Sequence, residues 1–166
     1  MLERAYGIDL LPPLPAAPIE REALEKELAG VAPIADRREE LLAFDSAEAR
    51  SAAIALLGRL GIGAEPCELR RLPRSAAFER KPAYEDYAIE ATSGRVYFDA
   101  SLIAAFRLTK AKPEAEPAPA LLQLEEHEIC ALTLPGGETL HLIDRQLAPL
   151  ADRIARAYGC FAEWFD

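Results

Sequence analysis

The sequence predicts an α+β protein: one antiparallel sheet of four or five strands, made of two β-hairpins and packed against helices, with a helical N-terminal third. Three observations predict it. Strand-like segments flank Ser93-Gly94 and again Pro135-Gly136-Gly137, both turn signatures. Amphipathic runs opened by proline and stopped by glycine fill much of residues 18–60. The apolar fraction is 51%, enough for helices to roof the greasy side of both hairpins.

Residues 1–17, MLERAYGIDLLPPLPAA, read as an extended Pro-rich arm, because Leu-Pro-Pro-Leu-Pro favours polyproline II. Residues 18–166 read as a single α+β domain in four parts. These are a helical part (18–62), a strand, hairpin and helix (63–110), an Ala/Pro linker (111–120), and a hairpin with a C-terminal helix (121–166).

Pro18 suits the first position of a helix over 18–30, where its missing N–H costs nothing, and Gly30 suits the stop. Ile19, Ala23, Leu24, Leu28 and Val31 share one face, and Glu22 supports Lys26 on the other. Pro33 opens a second helix over 33–44, with Ile34, Leu41 and Leu42 on a common face. A third helix starts at Asp45 or Ser46, where Asp45 and Glu48 form a capping box, and runs to about Leu60. Its body is apolar nearly all round, which predicts a central place. Cys67–Leu72 reads as a strand and 75–81 as a turn of helix.

The first hairpin joins Tyr87–Thr92 to Arg95–Phe98, after which Asp99 caps an apolar helix ending near Lys110. The second joins His127–Leu134 to Glu138–Ile143. Pro149 then opens the last helix, with Leu150, Ile154, Tyr158, Phe161 and Phe165 in a stripe broken only at Gly159.

The formal charge of −9 disfavours nucleic acid and anionic membranes as partners. Residues 1–49 carry −6, residues 50–112 carry +4 and residues 113–166 carry −7. The basic middle includes a candidate patch at Arg70, Arg71 and Arg74, for which pairing with the chain's own acidic ends is the simplest role. Cys67, Cys130 and Cys160 are odd in number and irregularly spaced, so they form no disulfide framework. No signal pattern and no run of about 18 apolar residues is present, and the expected location is cytoplasmic.

Candidate chemistry is sparse. His127, Cys130, His141 and Cys160 are ligand types suited to zinc, but His127 and Cys130 differ in strand parity and point to opposite faces. A Cys130–His141 pair lacks the helix N-terminus that would lower a thiol pKa. Gly61-Ile-Gly63 follows a helix, whereas a phosphate loop follows a strand. Glu125, Glu126 and Glu128 read as a solvated cluster. The expectation is therefore no catalytic residues, no metal and no cofactor.

What remains points to an accessory or adaptor protein that binds a protein partner, with a homodimer as one form of it. Leu10, Leu11 and Leu14 of the arm and Trp164 near the C-terminus are the candidate partner-binding residues. The expected element order is similar to that of small acidic secretion chaperones, a likeness of architecture without a shared motif; an inhibitor or immunity protein fits equally. The alternative is an enzyme or small-molecule binder whose site gathers scattered residues such as Arg70, Arg71, Tyr97, His127 and His141.

Overall fold

The structure, a computed structural model, describes residues 1–15 and 17–165. Its strands are β1 (Glu3–Leu10), β2 (Asp36–Arg38), β3 (Leu41–Phe44), β4 (Ala64–Arg71), β5 (Phe78–Arg80), β6 (Ile89–Glu90), β7 (Val96–Asp99), β8 (Ile103–Lys110), β9 (Glu128–Thr133), β10 (Thr139–Asp144) and β11 (Cys160–Phe165). Its helices are α1 (Pro18–Val31), α2 (Ala47–Arg59), α3 (Tyr84–Tyr87), α4 (Pro117–Leu124) and α5 (Ala148–Ala157). The chain forms two compact units. One comprises Leu2–Leu72 and Ile89–Tyr97, the other Pro73–Ala88 and Phe98–Asp166.

The first unit is a six-stranded sheet in the order β2-β3-β1-β4-β7-β6. In β1 the side chains alternate. Tyr6, Ile8 and Leu10 face Leu24, Leu28, Ala53 and Leu57 of α1 and α2, while Ala5 faces Ala43, Leu69, Ala91 and Tyr97 on the opposite side. The residues on that inner side are mostly small. Gly7 lies opposite Cys67, and a Cβ built on it would collide with Cys67 Sγ. Such close approach lets the sheet curl until its two edges meet. The Thr92 N–H donates to Arg37 O (2.9 Å), and the Arg38 guanidinium donates to Glu90 O (2.7 Å). The buried Asp36 carboxylate accepts from Ser93 N–H, at 3.2 Å, and from the Ser93 hydroxyl. The β2 and β6 edges are thus laced together, and the sheet is nearly a barrel.

Toward one end of the inner side, Glu3 accepts from Arg71 (2.9 Å) and Arg95 (2.7 Å), while Arg71 also donates to Asp45 (2.6 Å). Burial opposes charge on Glu3, but the two guanidinium hydrogen bonds outweigh it and hold the carboxyl below its usual range.

The second unit is a five-stranded sheet in the order β11-β8-β10-β9-β5. On one face, Phe106 of β8 and Ile143 of β10 pack under Ala120 and Leu124 of α4 and under Ala151 and Ile154 of α5. No helix among the described residues is long and apolar enough to cross a membrane.

The α+β class stands, but the expected single sheet of four or five strands and the helical N-terminal third are corrected. There are two sheets, and β1, β2 and β3 run through the first third. The arm expected over 1–17 contains β1, the strand between β3 and β4, and Ala16 lies outside the described residues. The helix expected over 33–44 is the β2–β3 hairpin. Its register pairs Arg38 with Leu41 across Glu39, which sits in the left-handed region at φ 53°. The turn of helix expected over 75–81 holds β5, and half of α4 lies in the expected linker.

The expected helix after Asp99 is β8. Asp99 accepts from the Ser101 N–H (2.7 Å) and closes a turn, and Ile103–Phe106 are buried on both sides of the strand. The last helix stops at Ala157. Gly159, at φ 72°, redirects the chain into β11. These strands also displace the helix–hairpin order on which the likeness to secretion chaperones rested.

Gly7→Ala is expected to lower stability by about 1–3 kcal/mol through overpacking. The loss should shrink in a Cys67→Ala background, because Sγ is the nearest obstacle. Urea midpoints of the four proteins check both effects, and equal losses in the two backgrounds would contradict this account.

Candidate functional site

The β9–β10 hairpin brings together two groups that the sequence separates by thirteen positions. Its register pairs Leu142 with Cys130 but Ile143 with Glu128, leaving Ile129 as an extra residue in a β-bulge. Side chains alternate along a strand, so one added residue moves everything before it to the other face. Glu128 therefore shares a face with Ile143 and His141, whereas Cys130 shares one with Leu142.

On that face the Glu128 side chain is only 3% exposed and that of His141 8%, with Oε1 of Glu128 3.2 Å from Nδ1 of His141. The contact is close, yet its alignment falls outside hydrogen-bond geometry. Both His141 Nδ1 and Glu128 Oε2 are buried without a hydrogen-bond partner. Phe106 stacks on the imidazole, with centroids 5.3 Å apart, and Trp164 lies against Phe106 at 5.1 Å. His141 also lines a groove of about 530 Å³, with Leu108, Lys110, Pro117, Leu121 and Thr139. With Nδ1 turned to the carboxylate, Nε2 is the ring nitrogen left for another group.

The remaining candidates lie elsewhere. His127 is half-buried on the turn before β9, 3.4 Å from Glu126, and Cys160 begins β11. Among the described residues no three His, Cys, Asp or Glu side chains gather to hold a metal. Leu10 and Leu14 line a narrow pocket with Leu24, Leu28 and Leu42, and the Leu11 N–H donates to Gly63 O (2.9 Å). Trp164 is part-buried, its indole N–H donating to Asp152 (3.1 Å). Arg70 and Arg71 occupy successive positions of β4 and so opposite faces, which divides the candidate basic patch; Arg74 is exposed. Arg71 and Tyr97 do meet, with the guanidinium 5.9 Å from the ring centroid.

A second feature is the outer edge of β11. Among the described residues no backbone hydrogen bond joins Cys160–Phe165 to any element but β8. Phe161 is 45% exposed. Sequence reasoning missed both features, because Glu128 was read with its exposed neighbours Glu125 and Glu126, and β11 was read as helix.

No family model, no curated protein and no solved structure matches the chain.

Burial, with the Glu128 charge behind it, pushes the Cys130 thiol up to about 12. Cys130 should therefore resist iodoacetamide in the folded protein at pH 8, while the half-buried Cys67 reacts first. The unfolded thiol ionises near 9, so stability is expected to fall as pH rises from about 9 to about 12. Urea midpoints across that window should fall more steeply for the native chain than for Cys130→Ala.

Proposed function

We propose that the protein works by binding another protein, taking an extended segment of its partner as an added strand on β11. The observation that carries this reading is the contrast among sheet edges. An open edge offers unpaired N–H and C=O groups, and proteins commonly blunt it by shortening, charging or covering it. The β2 and β6 edges are laced to each other. The β5 edge is three residues long and carries Glu79 and Arg80. In contrast β11 has six residues, no proline, and Glu163 as its one charge. That charge is already engaged by Arg107, at 2.6 Å.

Strand addition supplies affinity through main-chain hydrogen bonds and specificity through alternate side chains. The exposed Phe161 ring would contact the added strand's neighbouring side chains. The net charge of −9 favours approach by a basic partner. A second copy of the chain is the other occupant that this edge accepts, and solution mass separates the two.

Recovery of a stoichiometric partner from the native host, followed by hydrogen exchange on the complex, tests the proposal. Amides of Cys160–Phe165 should gain protection, and Phe161→Lys should weaken binding by about tenfold or more, a typical effect at an interface anchor. Protection confined to other segments, with Phe161→Lys binding normally, would overturn it. A doubled mass without any partner would identify the second copy as the occupant.

A further inference from the structure

The buried Glu128–His141 pair plays no part in strand addition, and it leaves polar atoms unpartnered in a place where most cores are fully satisfied. We propose that the groove above it is a binding site for a small organic acid that carries a hydroxyl group on an apolar body.

Each part of that ligand answers a part of the site. With Nδ1 against the carboxylate, the imidazole keeps Nε2 as the nitrogen it can offer to the groove. Whichever tautomer the ring takes, Nε2 either donates or accepts one hydrogen bond, and a hydroxyl can do both. A ligand hydroxyl matches it. Leu108, Pro117 and Leu121 supply an apolar wall for the body of the ligand. At the rim, Arg107 is engaged by Glu138 and Glu163. Lys110 is exposed, and among the described residues it makes no ion pair, so it is the rim cation left for an acid group. Strand parity sets Leu108 and Lys110 on the face of Phe106, and Thr139 on the face of His141. The volume of about 530 Å³ falls among those of small-molecule sites, roughly 300–1,000 Å³.

The probe is 4-hydroxyphenylacetate, and the readout is the imidazole nitrogen and carbon-bound proton resonances. The chain has two histidines, so His127 serves as an internal control. A saturable shift confined to His141 is expected. Phenylacetate, lacking the hydroxyl, should bind about tenfold more weakly, as should the probe to Lys110→Gln. Tyramine, which exchanges the acid for an amine, should leave His141 unmoved. Lys110 is a surface side chain, so its replacement leaves the fold intact, and an unchanged free-state spectrum verifies this. His141→Gln removes that nitrogen but perturbs a buried position, and therefore stands second to Lys110→Gln. The proposal fails if millimolar 4-hydroxyphenylacetate leaves His141 unshifted. It also fails if Lys110→Gln binds the probe like the native chain, or if tyramine produces the same shift. None of these results bears on β11, so the two proposals stand or fall separately.

Discussion

A β-strand turns its side chains out with a strict period of two, and one inserted residue is enough to reverse the sense of everything beyond it. Ile129 is that residue in the second unit. Without it Glu128 would share the face of Cys130 and Leu142, and His141 would face the helices without a carboxylate beside it. The bulge thus decides which titratable groups meet. It joins a carboxylate to an imidazole, while the Cys130 thiol keeps to the face of Leu142, away from that imidazole, by the regular alternation of the strand. The aromatic stack of His141, Phe106 and Trp164 runs across three neighbouring strands and leaves the imidazole little room to turn.

The first unit answers a different constraint. Its inner face sets Ala5, Gly7, Ala43 and Ala91 beside the larger Leu69 and Tyr97, and the curl of its six strands brings β2 and β6 within reach of each other. The lacing uses the short polar side chains of Asp36, Ser93 and Thr92 at close quarters, together with the longer reach of Arg38 to Glu90 O. At the end of the same face the largely buried guanidinium groups of Arg71 and Arg95 are neutralised by the part-exposed Glu3.

How far the sequence disclosed this can be followed residue by residue. The two hairpins were legible because glycines at positive φ mark their turns, as Gly94 and Gly136 do. The first and third expected helices were legible from Pro18 and from the residues around Ser46, although the cap is Ser46 itself, its hydroxyl accepting from the Ala49 N–H at 3.1 Å. The failures share a cause. Ile103–Phe106 is apolar on both sides because both faces of β8 are buried there, and a doubly buried strand cannot be told from a buried helix by periodicity. The stripe from Leu150 to Phe165 fitted a helix, yet Gly159 was the residue that mattered. In β1 the alternation of Tyr6, Ile8 and Leu10 was present, but the Leu-Pro-Pro-Leu-Pro run after it fits an extended arm as well as a strand end. The site was the least visible part, because a bulge leaves no mark in composition.

The chain leaves the first unit at Leu72 and returns to it at Ile89. During synthesis the near-barrel therefore lacks its last two staves until Tyr97 has emerged, and by then β5 and α3 are already outside the ribosome. A fragment ending at Leu72 would expose the ladder face of β4 that β7 normally covers. Birth of the two units is consequently interleaved, with neither able to mature as an uninterrupted stretch of nascent polypeptide.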